Sequence, residues 1–259
     1  MIVVILAAGK GTRLKKYTEN LPKGMLSFNN KTLIEYQVDL FKKCGINNII
    51  IVKGYEADKI NFPNIKYFVN PNYETTNMVE TLYMAREEYI EDIIVSYSDI
   101  IYEESLLRKV LESDEEVSVA VDKDWQKYWI MRYGTLNFDL EGLQIKNDYD
   151  IVRIGFSDPL ISQIDARYIG LLKFKGKTIK KVIELIDHER DVASDNWNNT
   201  GKSIRKAYMT DLLQFLIDKK QKVSAVLNNG GWLEFDTEQD YEKAIDWLKY
   251  GQIMQLIKL

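Results

Sequence analysis

The hydrophobic positions in the first half of the chain alternate between two patterns. Short apolar runs at residues 2–6, 48–52, 65–69, 92–99 and 117–121 predict buried β-strands. Between them, apolar side chains spaced three and four positions apart predict helices over residues 33–41, 75–89 and 104–111. Strands that alternate with helices form parallel sheets covered on both faces and joined by right-handed crossovers. This part of the chain therefore predicts an α/β fold.

The pattern becomes less regular after residue 122, where aromatic side chains cluster between positions 125 and 138. Strands are expected at 143–145, 151–154, 167–174 and 223–227, and the third of these returns to the main sheet. Helices are expected at 178–185, 210–218 and 240–247. Residues 188–207 are polar and predict either a mobile lid or an ordinary surface loop. The chain thus predicts one domain over residues 1–259, with a small aromatic-rich insertion at about 122–175.

The first predicted strand continues into a turn of small residues, which reads Leu6-Ala7-Ala8-Gly9-Lys10-Gly11-Thr12-Arg13-Leu14. Glycine tolerates positive φ and lets backbone N–H groups approach a ligand, so such a turn favours an anion, typically a phosphate. Arg13 and the later Lys23 add two positive charges close by in the sequence. A nucleotide triphosphate is therefore expected here, and the alternative is a tight turn that binds no ligand.

Two better-known glycine motifs do not fit this turn. A P-loop needs four residues between its first glycine and Gly-Lys, whereas only Lys10 separates Gly9 from Gly11. The dinucleotide-binding motif needs a third small residue where helix and strand pack closely, and Leu14 is too large for that position. The turn therefore predicts a different kind of nucleotide site.

Three acidic residues are candidates for a metal site. Asp99 follows a hydrophobic strand, and Glu234 and Asp236 stand two positions apart after the last predicted strand. Side chains two apart in extended backbone point to the same face, so these two carboxylates can converge on one ion. Mg²⁺ prefers oxygen ligands and is held by one or two carboxylates together with phosphate oxygens. The alternative is that these residues are exposed strand ends or, for Asp236, a helix cap.

The glycine turn, the Leu21-Pro22-Lys23 segment, the Ser98-Asp99 turn and Glu234-Phe235-Asp236 together resemble the nucleotidyltransferases that activate sugar phosphates and phosphocholine. The resemblance covers nearly the whole chain and is closer to the cytidylyltransferase branch, which acts on phosphocholine, 2-aminoethylphosphonate and related acceptors. It implies a Rossmann-like three-layer sandwich with a mostly parallel mixed sheet, as in the nucleotide-diphospho-sugar transferases. The chain departs from many relatives at Gly24, directly after the lysine.

The resemblance also implies the roles of individual residues. Asp99, Glu234 and Asp236 would hold Mg²⁺, while Lys23 and Arg13 would contact the phosphates, with Lys23, Arg13 and Asp99 forming the catalytic set. Residues 74–82 would lie beside the base and ribose of CTP, although Asn77 could instead only cap a helix. The expected nucleotide-binding residues are Leu6, Ala7, Ala8, Gly9, Lys10, Gly11, Thr12, Arg13, Lys23, Asn77, Thr81 and Ser98.

The acceptor side is expected among the aromatic residues of the insertion. Aromatic faces attract an ammonium or a quaternary amine, and Arg132 could bind a phosphate through two parallel hydrogen bonds. Trp129 and Arg132 are three positions apart, so they could share one face of a helix. Trp129, Arg132 and Tyr168 are therefore the candidate acceptor-binding residues. The alternative is that these side chains fill the core of the insertion.

Composition limits the remaining possibilities. The chain of 259 residues has 35 basic and 39 acidic side chains, a net charge of −4 that argues against a nucleic-acid partner. Its only cysteine excludes an intrachain disulfide, and its only histidine leaves no His-rich metal site. The first residues lack a basic segment, and no later apolar run reaches the roughly 18 residues of a membrane span. A cytoplasmic location without a membrane is expected, and a homodimer stays open.

Three functions follow from these observations. The first is a Mg²⁺-dependent cytidylyltransferase that transfers CMP from CTP to a small phosphate or phosphonate such as phosphocholine, 2-aminoethylphosphonate or phosphoglutamine, releasing pyrophosphate. The second is a sugar-1-phosphate nucleotidyltransferase that uses UTP or dTTP. The third is a catalytically silent nucleotide-binding regulator, against which the retained Lys23, Asp99 and Asp236 count.

Overall fold

A computed structural model describes residues 1–147 and 149–259 of the protein. Its strands, in chain order, are β1 (Ile2–Ala7), β2 (Ser27–Phe28), β3 (Lys31–Thr32), β4 (Ile49–Lys53), β5 (Lys66–Val69), β6 (Ile93–Tyr97), β7 (Ile100–Tyr102), β8 (Val117–Asp122), β9 (Glu141–Lys146), β10 (Asp150–Ser157), β11 (Arg167–Phe174), β12 (Ser224–Asn228) and β13 (Trp232–Glu234). Within the described residues, nine of these strands form one central sheet in the order β5-β4-β1-β6-β11-β8-β12-β10-β9.

The central sheet is mixed, with most strands running in one direction. β5, β4, β1 and β6 are parallel neighbours, as the βα alternation predicts. β11 lies antiparallel between β6 and β8, and β8 pairs with β12 in parallel. β10 and β9 extend the far edge in antiparallel pairing. The predicted mostly parallel mixed sheet is therefore confirmed.

Helices cover both faces of this sheet. In chain order they are α1 (Leu33–Lys43), α2 (Met78–Tyr83), α3 (Glu104–Glu112), α4 (Trp125–Tyr133), α5 (Gly176–Val192), α6 (Met209–Asp218) and α7 (Glu238–Lys249). The cores of α1, α3, α4 and α7 join one hydrophobic cluster, and those of α2, α5 and α6 join another. Alternate residues of β1 belong to the two clusters, which explains why that strand is apolar throughout. The predicted three-layer sandwich is confirmed.

Two helix boundaries differ from the sequence-based expectation. The predicted helix at 75–89 is an α-helix only over Met78–Tyr83, followed by a 3₁₀ turn over Arg86–Glu88. The helix predicted at 178–185 runs over Gly176–Val192, so the start of the loop expected at 188–207 is helical. The buried side chains of Ile179, Val182 and Ile186 keep helical spacing along this helix. The polar residues that follow can therefore extend the helix with their side chains on its exposed face.

Residues 122–175 are built into the sheet rather than standing beside it. They contribute β11 to its centre and β9 and β10 to its edge. The side chains of Leu143, Ile151 and Ile154 are buried in the hydrophobic cluster beneath α5 and α6. Across the two described ranges, no helix is both long and apolar enough to span a membrane.

Candidate active site

The glycine turn lies directly after the buried strand β1. Gly11 adopts a left-handed conformation with φ of +66°, and a 3₁₀ turn over Thr12–Thr18 follows it. A Cβ at Gly11 would lie 3.1 Å from Cβ of Lys23, so the glycine also makes room for the lysine stem. The hydroxyl of Thr18 donates to the Gly11 carbonyl at 2.9 Å and closes the turn. Glycine is thus needed here for both backbone conformation and packing.

A cavity of about 280 Å³ opens at the carboxyl ends of β1 and β6, where ligands bind in sheets of this kind. It brings together most of the predicted nucleotide-binding residues. Those that line it are Leu6, Ala8, Gly9, Gly11, Thr12, Arg13, Lys23, Asn77, Thr81 and Ser98. Two of the predicted metal ligands, Asp99 and Asp236, line it as well. Ala7 is instead buried at the end of β1, and the Lys10 ammonium lies 5.0 Å over the ring of Tyr55.

The charged centre of this cavity is Lys23. Its Nζ lies 2.6 Å from Oδ2 of Asp99 and 2.7 Å from Oδ1 of Asp236. Nη2 of Arg13 lies 2.7 Å from the Asp236 carboxylate as well. Burial disfavours the lysine's charge, but Asp99 and Asp236 outweigh this effect and raise the pKa of Lys23 above its ordinary value. The lysine therefore stays protonated at neutral pH.

A second small sheet brings the two aspartates together. β7 pairs antiparallel with β13, with Ile100 opposite Glu234. Next to this pair, the amide of Phe235, the residue after Glu234, donates to the carbonyl of Asp99, the residue before Ile100, at 2.9 Å. This pairing places Asp236 beside Asp99 although the two residues are far apart in sequence.

The direct partner of the Glu234 carboxylate differs from those of the two aspartates, although the two-residue spacing predicted that it would converge with Asp236. The Glu234 carboxylate instead accepts a hydrogen bond from Nη1 of Arg132 at 2.6 Å. Burial raises the pKa of Glu234, Arg132 opposes this, and the charges of Asp236 and Asp99 raise the pKa further. Among the residues described, no three Asp, Glu, His or Cys side chains come close enough to share a metal ion. A role for Glu234 as a metal ligand stays a prediction.

Asp99 and Asp236 fit a divalent cation nonetheless. Their carboxylates converge on one ammonium, which is the geometry that a small cation needs. Within the described part of the chain, Oδ1 of Asp99 is buried without a hydrogen-bond partner. Carboxylate oxygens supplemented by phosphate oxygens and water are the ligands that Mg²⁺ prefers.

Two of the residues predicted to bind the acceptor, Trp129 and Arg132, are buried and do not line the nucleotide cavity. Arg132 is 0% exposed, and its Nε and Nη2 each lie 2.7 Å from an oxygen of Asp240. Trp129 is also 0% exposed, and its Nε1 donates to the Phe138 carbonyl. The structure thus places both side chains in the core, as the alternative interpretation expected. Two carboxylates occupy the donors of Arg132, because Asp240 accepts from Nε and Nη2 and Glu234 accepts from Nη1.

Tyr168 lies nearer to the cavity than these two residues. Its ring packs edge-to-face on Tyr97 with 5.7 Å between centroids, and Tyr97 lines the cavity. Contact between Tyr168 and an acceptor stays a prediction.

Asn77 and Thr81 are held in place by the start of α2. The Asn77 side chain caps the helix by accepting a hydrogen bond from the Met78 amide at 2.9 Å, as the alternative interpretation expected. The same residue also lines the cavity. Thr81 donates to the Asn77 carbonyl and accepts from the buried amide of Asn70 at 3.1 Å. The two side chains are therefore fixed at the cavity wall, whereas contact with a base stays a prediction.

Thr76 and Met78, within the predicted stretch 74–82, also line the cavity, whereas three lining residues were not found by sequence reasoning, namely Tyr73, Tyr97 and Tyr208. Tyr97 directly precedes the Ser98-Asp99 turn, so its place at a strand end was a usable signal. Tyr208 reaches the cavity from the N-terminus of α6, and nothing local in the sequence indicates that contact.

The fold and the site together define a nucleotidyltransferase. Residues 3–154 match the model of the MobA-like NTP transferase domain. The chain belongs to this family, in its cytidylyltransferase branch. It is 38% identical to the CTP:phosphoglutamine cytidylyltransferase of Campylobacter jejuni, over 95% of this chain and 100% of that protein. It is 28% identical to the choline-phosphate cytidylyltransferase of Streptococcus pneumoniae, over 96% of this chain and 99% of that one.

Two solved structures have the same fold. The CTP:phosphocholine cytidylyltransferase from Streptococcus pneumoniae superposes with a TM-score of 0.72 at 24% identity, covering 95% of this chain and 98% of its own. The inositol-1-phosphate CTP transferase from T. maritima gives 0.67 at 20% identity, covering 99% and 97%. Both similarities support the three-layer architecture. Nucleotidyltransferases of this family generally use a divalent metal ion.

Proposed function

We propose that this protein transfers CMP from CTP to the phosphate or phosphonate of a small amine-bearing acceptor and releases pyrophosphate. An acceptor oxygen forms a bond to the α-phosphorus, while the bond from that phosphorus to the oxygen bridging the β-phosphate breaks. A phosphomonoester has a second pKa of about 6, so this nucleophile is already largely anionic at neutral pH. No general base is required, which agrees with a chain that has a single histidine.

The chemical difficulty is to bring two anions together, and the residues of the cavity address it. Lys23 and Arg13 would neutralise the triphosphate, and the N–H groups of the glycine turn would orient it. Asp99 and Asp236 would hold Mg²⁺, which supplies charge neutralisation on the phosphates when it is bound. The observation that carries the proposal is the Lys23 ammonium bracketed by Asp99 and Asp236 inside the glycine-turn cavity.

The proposal extends to the organisation of the chain. We propose that residues 1–259 act as one nucleotidyltransferase domain, in which residues 122–175 supply the acceptor side. The central place of β11 in the sheet supports this division of roles. Because CTP is a cytoplasmic metabolite, we further propose that the enzyme works in the cytoplasm. A homodimer stays a prediction, which light scattering of the purified protein would test.

A pyrophosphate-release assay that crosses nucleotides with acceptors tests the proposed function. CTP, UTP and dTTP would each be combined with phosphoglutamine, phosphocholine, 2-aminoethylphosphonate and a sugar 1-phosphate, with MgCl₂ or EDTA. We expect turnover with CTP and an amine-bearing acceptor, abolished by EDTA. Preference for UTP or dTTP with the sugar phosphate would favour a sugar-1-phosphate nucleotidyltransferase. No turnover with any pair would favour a silent nucleotide-binding regulator.

A further inference from the structure

The turn that carries Asp99 is closed by a buried side chain of α1, that of Gln37. Gln37 is 1% exposed although its amide is polar, so its hydrogen bonds are made within the protein. Its Nε2 donates to the carbonyl of Tyr97 at 2.7 Å and to the carbonyl of Ile100 at 2.7 Å. β6 ends at Tyr97 and β7 begins at Ile100, so only Ser98 and Asp99 lie between these two carbonyls. One side-chain amide therefore joins both ends of the turn.

The orientation of the Gln37 amide is fixed by its neighbours. A carbonyl oxygen only accepts hydrogen bonds, so the two backbone carbonyls must face the nitrogen of the amide and not its oxygen. The amide oxygen, Oε1, accepts from the hydroxyl of Ser96 at 2.9 Å, and this serine is 0% exposed. A reversed amide would place its oxygen against two other oxygens. The three hydrogen bonds thus tie α1 to β6 and β7 in a single arrangement.

The same face of α1 also contacts the chain next to Lys23. A Cβ at Gly24, which directly follows the lysine, would lie 2.7 Å from Cδ1 of Ile34. Ile34 and Gln37 are three positions apart in α1, so they lie on one face of the helix. This face therefore packs against the backbone beside both members of the ion pair between Lys23 and Asp99.

The Asp99 carboxylate itself has few contacts that could fix its position. In the two stretches of chain that the structure describes, its Oδ1 is buried without a hydrogen-bond partner, and its Oδ2 contacts Lys23. Apart from that ion pair, the backbone on either side of Asp99 determines where the carboxylate lies. Gln37 binds this backbone at both ends of the turn. Mg²⁺ demands a nearly ideal octahedral arrangement of its ligands, so a small shift of the turn would weaken binding.

We propose that Gln37 is a positioning residue of the cation site. Through its bonds to the carbonyls of Tyr97 and Ile100, it keeps the Asp99 carboxylate where a divalent cation can bind. Gln37 does not line the nucleotide cavity, so it acts through Asp99. This inference rests on the proposed function, which assigns a cation to Asp99 and Asp236. Removing an outer partner of this kind typically lowers metal affinity or activity about 10–100-fold.

Replacing Gln37 by Met tests the proposal, because methionine fills the space of the side chain and donates no hydrogen bond. We expect Gln37→Met to raise the Kd for Mn²⁺ at least about tenfold, measured without nucleotide by electron paramagnetic resonance of the free ion. In the pyrophosphate-release assay, kcat should fall and the Mg²⁺ concentration for half-maximal rate should rise. The KM for the acceptor should stay close to that of the wild type, because no acceptor contact is removed.

Lys173→Met is the matched control for a purely structural effect. Lys173 is 4% exposed, and its Nζ donates to the carbonyls of Leu111 and Ser113 at 2.9 and 2.8 Å. It thus also bridges two backbone carbonyls, but at the end of α3. We expect both variants to lower Tm, since each leaves two carbonyls without their donor, and only Gln37→Met to lose Mn²⁺ affinity. Wild-type Mn²⁺ affinity in Gln37→Met, or an equal loss in both variants, would overturn the proposal.

Ser96→Ala decides the question if Gln37→Met does not fold. It removes the donor to Oε1 of Gln37 and leaves the glutamine in place. We expect the Kd for Mn²⁺ to rise about threefold, the effect of one hydrogen bond of modest strength. Ser118→Ala, at an equally buried serine of β8, is its control, and equal Kd values in the two serine variants would overturn the proposal. A wild type that binds Mn²⁺ but turns over no pair of nucleotide and acceptor would overturn the proposed function alone.

Discussion

Nζ of Lys23 lies 2.6 Å from Oδ2 of Asp99, so the lysine proposed to bind phosphate contacts a proposed metal ligand directly. In the absence of nucleotide, the lysine supplies the positive charge that keeps Asp99 and Asp236 close together. When CTP and Mg²⁺ bind, that charge and the metal ion would compete for the same carboxylate oxygens. Binding of the metal ion would therefore be coupled to the position of the lysine.

Replacing Lys23 by Met should increase the effect of a divalent cation on stability. The substitution removes the cation that lies between the two carboxylates and leaves only Arg13, which contacts Asp236, so the two like charges are less well compensated and repel. We expect Mn²⁺ or Mg²⁺, without nucleotide, to raise the Tm of Lys23→Met more than that of the wild type in a thermal-shift measurement. Lys16→Met removes an exposed lysine and is the control. Equal shifts in all three proteins would show that the lysine does not stand at the cation site.

Removing either aspartate should impair catalysis more than folding. Loss of one electrostatic contact to the reacting phosphates typically lowers the rate by about 10²–10³. We expect Asp99→Ala and Asp236→Ala each to lower kcat by at least this factor in a pyrophosphate-release assay, with the folded state retained by circular dichroism. Asp39→Ala, at an exposed residue paired with Lys31, should keep wild-type activity. Near-wild-type turnover in either site variant would remove that residue from the proposed metal site.

Breaking the buried ion pair between Arg132 and Asp240 should destabilise the folded protein. Removing one partner of a buried pair leaves an uncompensated charge, which costs about 3–5 kcal/mol. Arg132→Met should therefore lower the free energy of unfolding by about this amount in urea denaturation. The control is Arg108→Met, whose exposed pair with Glu104 should contribute little. If both variants unfold at the same urea concentration, the buried pair does not stabilise the fold.

Gly24 should tolerate no larger side chain. A Cβ at this position would lie 2.7 Å from Cδ1 of Ile34 and 2.9 Å from Cβ of Ser98. Overpacking of this kind typically costs about 1–3 kcal/mol, and here it would also displace the adjacent Lys23. Gly24→Ala should thus lower both Tm and kcat. Gly9→Ala is the control, because its added Cβ meets no protein atom within 4 Å and its Tm should therefore match that of the wild type. A wild-type Tm in Gly24→Ala would contradict the packing explanation.

Much of the fold could be predicted because its strands are continuous apolar runs. β1, for example, is buried at every position and covered by helices on both faces, and such a run has few other interpretations. The glycine turn and Asp99 could be placed at strand ends for the same reason. The return of β11 to the main sheet also followed from its long apolar pattern.

The surroundings of the predicted acceptor-binding residues could not be predicted, because they depend on long-range packing. Trp129 and Arg132 stand at helical spacing, which is equally compatible with a binding face and with a core. The guanidinium of Arg132 contacts Asp240 and Glu234, which are more than a hundred residues away in sequence.

The pairing of β7 with β13 has a consequence for how the enzyme is made. Asp99 leaves the ribosome well before Asp236, and the ladder that continues at the Phe235 amide aligns the two residues. A nascent chain that stops before Trp232 would carry the glycine turn and one aspartate, but no second carboxylate to complete the pair. The two aspartates can therefore meet only after translation has passed β13.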